Sequence, residues 1–394
     1  MYCIAEKVVL PALTEEERSA LLEEAALKSV DEIFEAVPDP RKRHGLRYEL
    51  AFLLTCLVAA LVCNCNSTEA VAQWCREHEA LLRQVFGPRL FLTPSGSLYR
   101  WLLPRLEVHA LEAVLGCWVQ ATLQATADDP IALDGKTLRG ARTAEGKAPH
   151  LLSFQTHESQ ETLFEVRVSE KTNEIPVAKA VLPTLPIAGR VTTADALHTH
   201  AAFMQVVHEQ HGTSVLTVKH NQPTLYADLA TYFADPHAAC QEAETWDRRR
   251  GRVEHRLIRV STELTGYLAP DWPLVAQVAQ VTRVVTKKGE TSTEIVYLIT
   301  DLRPKQASPL RLLALVRGHW GIENHSHYVR DVSFQEDRSR LCTKNAPQIL
   351  AACRNLALTL LHRSGFSQVS SARRSFSYHP DQALALLCST AGQQ

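Results

Sequence analysis

The stretch Arg317-Gly-His-Trp-Gly-Ile-Glu-Asn-His-Ser-His-Tyr-Val-Arg-Asp-Val-Ser-Phe-Gln-Glu-Asp337 follows an amphipathic run, residues 310–316, whose apolar spacing predicts a helix. If that helix continues through the stretch, one of its faces carries a row of polar side chains. That row consists of His319, Glu323, His327 and Arg330. A carboxylate held there by the neighbouring Trp320 and Ile322 suits a rigid metal ligand. A single helical Glu is more often an ordinary surface residue, so further acids must join it.

Two aspartates follow short apolar or β-branched runs and can supply those partners. The run from Pro130 to Leu133 leads into Asp134-Gly135, which predicts a buried strand with an acid at its end and a turn after it. Asp195 ends a second β-branched run in the same way. Taken singly, these acids are typical of a turn and of a helix cap. Together with Glu323 they form three carboxylates, hard oxygen ligands that favour Mg²⁺ or Mn²⁺ over zinc.

Other acids and histidines near Glu323 leave alternatives open. Any of Asp331, Glu336 and Asp337 could be the third ligand instead. Glu323 is preferred because it lies on the helix that Trp320 and Ile322 pack. The histidines of this stretch also suggest zinc, but the HExxH spacing of zinc enzymes is absent.

The order of predicted elements after residue 130 indicates the fold class. Short β-rich runs are predicted at 131–134, 150–156, 163–169, 190–193 and 214–218, with helices at 175–182 and 199–211. Three strands, a helix, a strand, a helix and a strand is the order of an RNase H-like α/β core. In such a core Asp134 leaves the first strand and Asp195 the fourth, and these two strands are neighbours.

The remaining chain divides around that core. Residues 1–127 predict an all-α N-terminal domain, a candidate DNA-binding domain. Within it a helix at 67–86, a turn at 93–96 and a helix starting at 97–102 are compatible with either a helix-turn-helix or a plain helical bundle. Residues 128–244 and 301–362 form the predicted core, and 245–300 a β-rich insertion built from three β-like runs, 245–263, 275–286 and 294–300. Residues 363–394 predict a C-terminal tail with a short helix.

Composition limits the class of protein. The 394 residues are 45% hydrophobic and 22% charged, typical of a globular protein of two or three domains. With a net charge of −1 there is no global basic field, so nucleic-acid binding must rest on local clusters. Ten irregularly placed cysteines favour a reduced cytoplasmic compartment. The apolar run 50–63 is shorter than a membrane span and predicts a buried helix, so no membrane partner is expected.

Local basic residues are the candidate phosphate contacts. The densest cluster lies between 248 and 259, where the alternative is an exposed strand bearing arginines. A basic turn at 38–44 and the run 219–222 are weaker candidates. The predicted contacts from the two basic clusters are Arg41, Arg43, Arg250, Arg252 and Arg256.

Several of these motifs, in this order, resemble the DDE transposases of bacterial insertion sequences. The group they resemble most is ISAs1, which includes the H-repeat-associated proteins, and the likeness runs from Pro38 to about Leu387. The motifs are Asp134 in LDGKTLRG, Asp195 in TADALHTH, Lys219-His-Asn-Gln222, Arg250-Gly-Arg-Val-Glu-His-Arg256, and HWGIEN with Asp331-Val-Ser-Phe-Gln-Glu-Asp337.

The resemblance implies an activity and its partners. Asp134, Asp195 and Glu323 would hold two Mg²⁺ or Mn²⁺ ions, with Trp320 and Asn324 supporting the glutamate. The substrate would be double-stranded DNA, as terminal inverted repeats and as target. A homodimer would act on paired ends in the bacterial cytoplasm, associated with the nucleoid when bound. Two alternatives remain: an inactive or domesticated DNA-binding protein, and an RNase H-like nuclease that does not join strands.

The chain departs from the wider family at two motifs. In that family a Tyr, an Arg, the catalytic Glu and a Lys follow a set spacing, and alignment on Glu323 places Val316, His319 and Arg330 at the other three positions. Arg330 keeps the positive charge and could clamp a phosphate. The resemblance also implies phosphate contacts at Lys136, Lys219, Asn221 and His319. His220 replaces the Gly of the family's KGNQ run, which puts the geometry of that turn in doubt.

Overall fold

The computed structural model describes residues 15–42, 46–87, 93–123, 128–143, 146–168, 174–249, 251–366 and 368–390. The chain forms two compact units. The first comprises residues 1–125, 135–172 and 322–394, and the second comprises 126–134 and 173–321. The domain boundaries predicted from the sequence divide the chain differently and stay predictions.

The helices are α1 (Glu15–Ala26), α2 (Val30–Ile33), α3 (Leu50–Val62), α4 (Thr68–Glu77), α5 (Glu79–Phe86), α6 (Gly96–Leu102), α7 (Val108–Ala121), α8 (Glu174–Val181), α9 (Ala201–Glu209), α10 (Pro223–Ala234), α11 (Thr265–Leu268), α12 (Pro309–His319), α13 (Tyr328–Val332), α14 (Ala346–Arg363), α15 (Val369–Tyr378) and α16 (Pro380–Cys388). The strands are β1 (Ile131–Thr137), β2 (His150–Thr156), β3 (Thr162–Val168), β4 (Val191–Ala194), β5 (Thr213–Val218), β6 (Gln241–Arg249), β7 (Arg252–Ser261), β8 (Gln277–Lys287) and β9 (Glu290–Thr300).

The first unit is mainly helical. Its centre is α14, which is buried along almost its whole length and packs against α3, α7, α15 and β3. Burial of that apolar surface is the main stabilising contribution, about 25 cal/mol per Å². Of the 13 residues of α3, 12 are buried. Strands β2 and β3 pair antiparallel beside these helices.

The second unit is built on a sheet. In it the start of β1, β4 and β5 run parallel, and β9, β8, β7 and β6 continue antiparallel in that spatial order. Helix α12 packs on β4, β6 and β7 through its apolar side. The hydrophobic core of the second unit contains side chains from the strands and from α12. It includes Val191, Val215, Ile258, Val281, Leu298, Leu312 and Leu315.

The mixed α/β class predicted from the sequence is confirmed, and so are the five strands and two helices predicted between 131 and 218. The β-like run predicted at 245–263 is two strands rather than one. Gly251, at a φ of +73°, permits the tight reversal that separates β6 from β7. Strands β6 to β9 are paired in series from β5, so they extend its sheet.

Within the described ranges, none of the helices combines the length and the apolar character that crossing a bilayer requires.

Candidate active site

Asp134 and Asp195 occupy equivalent places on adjacent strands. Strands β1 and β4 run parallel, and Leu133 is paired with Ala194. Each acid immediately follows one member of that pair, so the two backbones are separated by about one strand spacing, roughly 5 Å. Both side chains are half-buried. Asp195 directly follows β4, as predicted, but Asp134 lies within β1, which continues to Thr137, so the predicted turn directly after Asp134 is wrong. The prediction that the two acids lie beside each other on neighbouring strands is confirmed by the register.

The turn after Asp195 is fixed from two sides. The Asp195 carboxylate accepts a hydrogen bond from the Leu197 backbone N–H at 2.9 Å and thereby caps the short 3₁₀ turn that follows β4. The Asn221 side-chain amide donates to the Ala196 carbonyl at 2.5 Å. Asn221, predicted as a phosphate contact, therefore holds the backbone beside Asp195, whereas Lys219 is exposed. Phosphate contact by either residue remains a prediction.

A buried histidine supports the same turn and was missed by the sequence analysis. His198 Nε2 lies 2.8 Å from Glu174 Oε2, and both residues are buried. Thr199 next to it donates its hydroxyl to the Thr217 carbonyl of β5. The TADALHTH motif contains these residues, but their partners on α8 and β5 lie too far along the chain to be read from the motif.

The end of α12 is anchored to the strand that carries Asp195. His319 is buried, and its Nδ1 lies 3.0 Å from the Thr193 hydroxyl on β4. Trp320 follows, and its ring lies beneath the Arg283 guanidinium at 4.9 Å. His319 thus binds within the protein here, and phosphate contact by it remains a prediction.

Glu323 lies on a π-helical turn, Ile322–His327, instead of a continuous α-helix. Its side chain is exposed, whereas His327 and Arg330 are buried, so the expectation of one shared polar face is wrong. The i→i+5 bonding of a π turn adds a residue to the helical repeat and rotates the next helical segment; such turns are frequent at functional sites. A cavity of about 710 Å³ borders the same turn at Asn324, His325 and Tyr328.

Arg330 belongs to a buried charge network in the first unit. Its guanidinium is fully buried and bonds Glu165 at 2.5 Å, Glu336 at 3.0 Å and the Asn355 side-chain oxygen at 3.0 Å. Burial acts to lower the pKa of Arg330, but the two carboxylates outweigh it and keep that pKa above its ordinary value. Contact with a phosphate, which remains a prediction, requires this network to open.

The acids considered as alternatives to Glu323 are engaged elsewhere in the first unit. Lys136 is buried and donates to both oxygens of Asp331 at 2.7 Å. Burial acts to raise the pKa of Glu336, but the charges of Arg330, Arg354 and Lys136 outweigh it and lower that pKa to about 2. Asp337 accepts a hydrogen bond from the Arg139 backbone at 3.1 Å.

Arginines of the predicted basic cluster are largely paired with acids. Glu254 is bonded by Arg252 at 2.7 Å and also by Arg256 and Arg283. Arg256 further bonds Asp247 at 2.7 Å. Burial acts to raise the pKa of Glu254, but these arginines outweigh it and lower that pKa. Arg252 and Arg256 therefore carry little uncompensated charge.

Three further arginines were predicted to contact phosphates. Arg41 is bound to Asp39 and to the Tyr48 carbonyl. Arg43 and Arg250 lie outside the described residues.

The carboxylate oxygens of Asp134 and Asp195 are suitable ligands for a hard divalent cation. Two carboxylates on adjacent strands, Asp134 and Asp195, are the oxygen ligands that Mg²⁺ and Mn²⁺ prefer. Among the residues described, no cluster of three or more His, Cys, Asp or Glu side chains is arranged to hold a metal ion. Glu323 as a third ligand therefore remains a prediction.

Comparison with known families gives two matches along the chain. Residues 126–360 match the family described as Transposase DDE domain, and residues 32–119 match the family described as DDE_Tnp_1-associated. The first match extends from just before β1 to within α14, and so includes Asp134, Asp195 and Glu323.

Individual proteins are similar over most of their length. An uncharacterized protein of the dhlA 3′ region of Xanthobacter autotrophicus is 31% identical over 70% of this chain and 96% of its own. The putative transposase YncI of Escherichia coli O157:H7 is 24% identical over 85% and 88%, respectively. The H repeat-associated putative transposase YhhI of Escherichia coli K12 is 23% identical over 85% and 90%. A solved piggyBac transposase synaptic complex with hairpin DNA aligns at a TM-score of 0.44 with 12% identity, covering 96% of this chain and 83% of that one.

Proposed function

Because this chain belongs to the Transposase DDE domain family, we propose that it is a DDE transposase of a bacterial insertion sequence, of the ISAs1 type. It cuts the ends of its element and joins them to target DNA. The observation that supports this most directly is the register of β1 and β4, which sets Asp134 and Asp195 side by side. The parallel strands β1, β4 and β5, with helices between them, are the basis for proposing an RNase H-like core.

The proposed ligand set is Asp134, Asp195 and Glu323. These three carboxylates would hold the Mg²⁺ or Mn²⁺ ions. When bound, such ions polarise the attacking oxygen and stabilise the charge that develops on the leaving 3′ oxygen. Glu323 is favoured over its acidic neighbours because Asp331 and Glu336 already neutralise buried cations.

The chain's own residues orient these carboxylates. The Leu197 N–H fixes one oxygen of Asp195, and the Asn221 amide fixes the backbone beside it. The buried contact of His319 with Thr193 holds the end of α12 four residues before Glu323. Pre-positioned groups lose little freedom during the reaction, which is the usual source of catalytic advantage at such a site.

The same site serves both chemical steps. Water is the first nucleophile and releases a free 3′-hydroxyl at the element end. That hydroxyl then attacks a phosphodiester of the target DNA. One set of ligands suffices, because both reactions are in-line displacements at phosphorus.

Substitution of each acid by its amide tests the ligand set. We expect Asp134→Asn, Asp195→Asn and Glu323→Gln each to reduce cleavage of element ends by at least about 10³-fold, since carboxylate charge on the ions is lost. Binding to the same DNA should persist. Asp271→Asn, an exposed acid of the second unit, is the matched control. Cleavage at the control's rate by any one variant removes that residue from the set.

A metal-swap variant tests ligation directly. In Asp195→Cys a thiolate replaces the carboxylate, and Mn²⁺ tolerates that softer ligand better than Mg²⁺. Activity recovered in Mn²⁺ and absent in Mg²⁺ would support Asp195 as a ligand. Cleaved ends without joined products, from the unsubstituted chain, would instead indicate a nuclease.

A further inference from the structure

Two β-hairpins end side by side in the second unit. Strands β6 and β7 reverse next to Gly251, and β8 and β9 reverse at Lys288-Gly289. In the sheet register Arg249 faces Arg252, Arg252 faces Lys287, and Lys287 faces Glu290. The two hairpin ends therefore form one edge of the sheet. We define the cationic tip as Arg248, Arg249, Lys287 and Lys288.

The charges at this edge repel one another. Neighbouring strands are about 4.8 Å apart, and like charges directly opposite on paired strands are destabilising. Arg252 is compensated by Glu254 at 2.7 Å. All four residues of the cationic tip are exposed. In the part of the chain that the structure describes, no ion pair involves any of the four, although Glu290 lies opposite Lys287 in the register.

The rest of the same sheet differs from the cationic tip because its arginines form ion pairs. Further along the strands the arginines are matched with acids: Arg256 with Asp247, Arg259 with Glu242 and Arg283 with Glu294. Positive charge is thus left uncompensated mainly where the hairpins end. The whole chain has a net charge of −1, so this edge is a local feature and not part of a general basic surface.

We propose that the cationic tip binds the phosphate backbone of duplex DNA. The proposal rests on the proposed function, which makes DNA the substrate. Arg249 and Lys287 lie two strand spacings apart, roughly 10 Å, so the two hairpin ends present separate positive charges to one polyanion. A polyanion relieves the like-charge repulsion across the sheet. The exposed, flexible side chains suit contacts to phosphates and not to base edges.

Salt dependence of binding tests the proposal. Full-length Lys287→Ala/Lys288→Ala and Arg248→Ala/Arg249→Ala variants are titrated against a fluorescein-labelled duplex of random sequence, with EDTA present so that no cleavage occurs. Each lost phosphate contact should reduce the slope of log affinity against log salt by about 0.9. Each double variant should therefore lose about 1.8 of that slope and bind more weakly at low salt.

The matched control is Arg303→Ala/Lys305→Ala. These two exposed cations follow the other end of β9, so the charge change is the same and the location is different. Control and wild type should share one slope. Melting temperatures of the tip variants should stay equal to or above that of the wild type, because repulsion is removed. Tip variants that keep the wild-type slope overturn the proposal.

A failure of the cationic-tip proposal can be distinguished from a failure of the proposed ligand set. Binding in EDTA does not depend on the acids, so an Asp134→Asn variant carrying an intact tip should bind with the wild-type slope. If that variant still cleaves, the proposed ligand set fails while the tip result stands. If the tip variants bind normally while Asp134→Asn abolishes cleavage, the tip proposal fails alone.

Discussion

Asn221 shows how a single amide can fix the backbone beside a proposed metal ligand. Its Nδ2 donates to the Ala196 carbonyl at 2.5 Å, directly after Asp195. We expect Asn221→Ala to lower unfolding stability by about 1 kcal/mol, the usual net contribution of one hydrogen bond. We also expect it to slow cleavage by about tenfold at unchanged DNA affinity, because the turn that orients Asp195 loosens.

Thr224→Ala is the matched control for that prediction. Thr224 lies three residues further along the chain and is exposed. Its removal should leave the melting temperature and the single-turnover cleavage rate unchanged. If Asn221→Ala instead weakens DNA binding and leaves stability unaltered, then Asn221 contacts phosphate, as the sequence suggested.

Arg330 provides a second test at the residue scale. Arg330→Met removes the cation between two buried carboxylates, Glu165 and Glu336. Breaking a buried pair in this way typically costs about 3–5 kcal/mol. Urea denaturation measures the loss. The exposed Arg338→Met is the control and should change stability by less than about 0.5 kcal/mol. An unchanged midpoint for Arg330→Met would show that the network contributes nothing to the fold.

The pH dependence of that network has a definite sign. The folded pKa of Glu336 is lowered from 4.5 to about 2, so its contribution to stability is present above 4.5 and is lost as the pH falls towards 2. A protonated Glu336 has no charge for Arg330 to compensate. The stability difference between wild type and Arg330→Met should therefore shrink over that interval. A difference that is constant with pH would contradict the assignment.

At the scale of elements, the π turn is the feature with the clearest consequence. Ile322–His327 contains one residue more than an α-helical path requires, and Glu323 projects from it. Deleting Asn324, which is exposed, should convert the turn to α-helix and keep the buried residues after it in place. We expect folding to persist, by circular dichroism and melting, while cleavage is lost because Glu323 is reoriented. Asn324→Gln, which keeps both the length and the side-chain amide, should remain active.

The elements near the acids could be predicted because their signals are local. The apolar run before Asp134 and the β-branched run before Asp195 predicted strands that the structure contains, and the order of elements predicted which strands are neighbours. The π turn was not predictable from apolar spacing, because that spacing assumes 3.6 residues per turn throughout. Its irregularity is a property of how the surrounding residues pack.

The basic residues were harder to interpret for a related reason. Arg252 and Arg256 look like free charges in the sequence, but Glu254 lies on their side of the same strand and compensates them. Lys287 and Arg249 are 38 residues apart and reach the same edge of the sheet only through the register of β6, β7 and β8. Whether a charge in a sheet is compensated thus depends on which residues pair across the strands. The composition of the chain does not give that pairing.

At the scale of the whole molecule, the chain has two compact units and a net charge of −1. It therefore has no general electrostatic attraction for DNA. Binding must then depend on a few local contacts, and we expect two chains to act together on the two ends of an element. A symmetric dimer is the commonest arrangement for paired, equivalent sites.

Mixing active and inactive chains tests that expectation. Wild-type chains are co-refolded with Asp134→Asn chains at constant total concentration, and products with both ends joined are quantified. If each protomer processes one end, joined pairs should fall as the square of the wild-type fraction, because both protomers must be active. Single-end cleavage should fall linearly in the same tubes, which serves as the internal control. Joined pairs that also decline linearly would mean that one protomer processes both ends, and the dimer would then hold the DNA without sharing the chemistry.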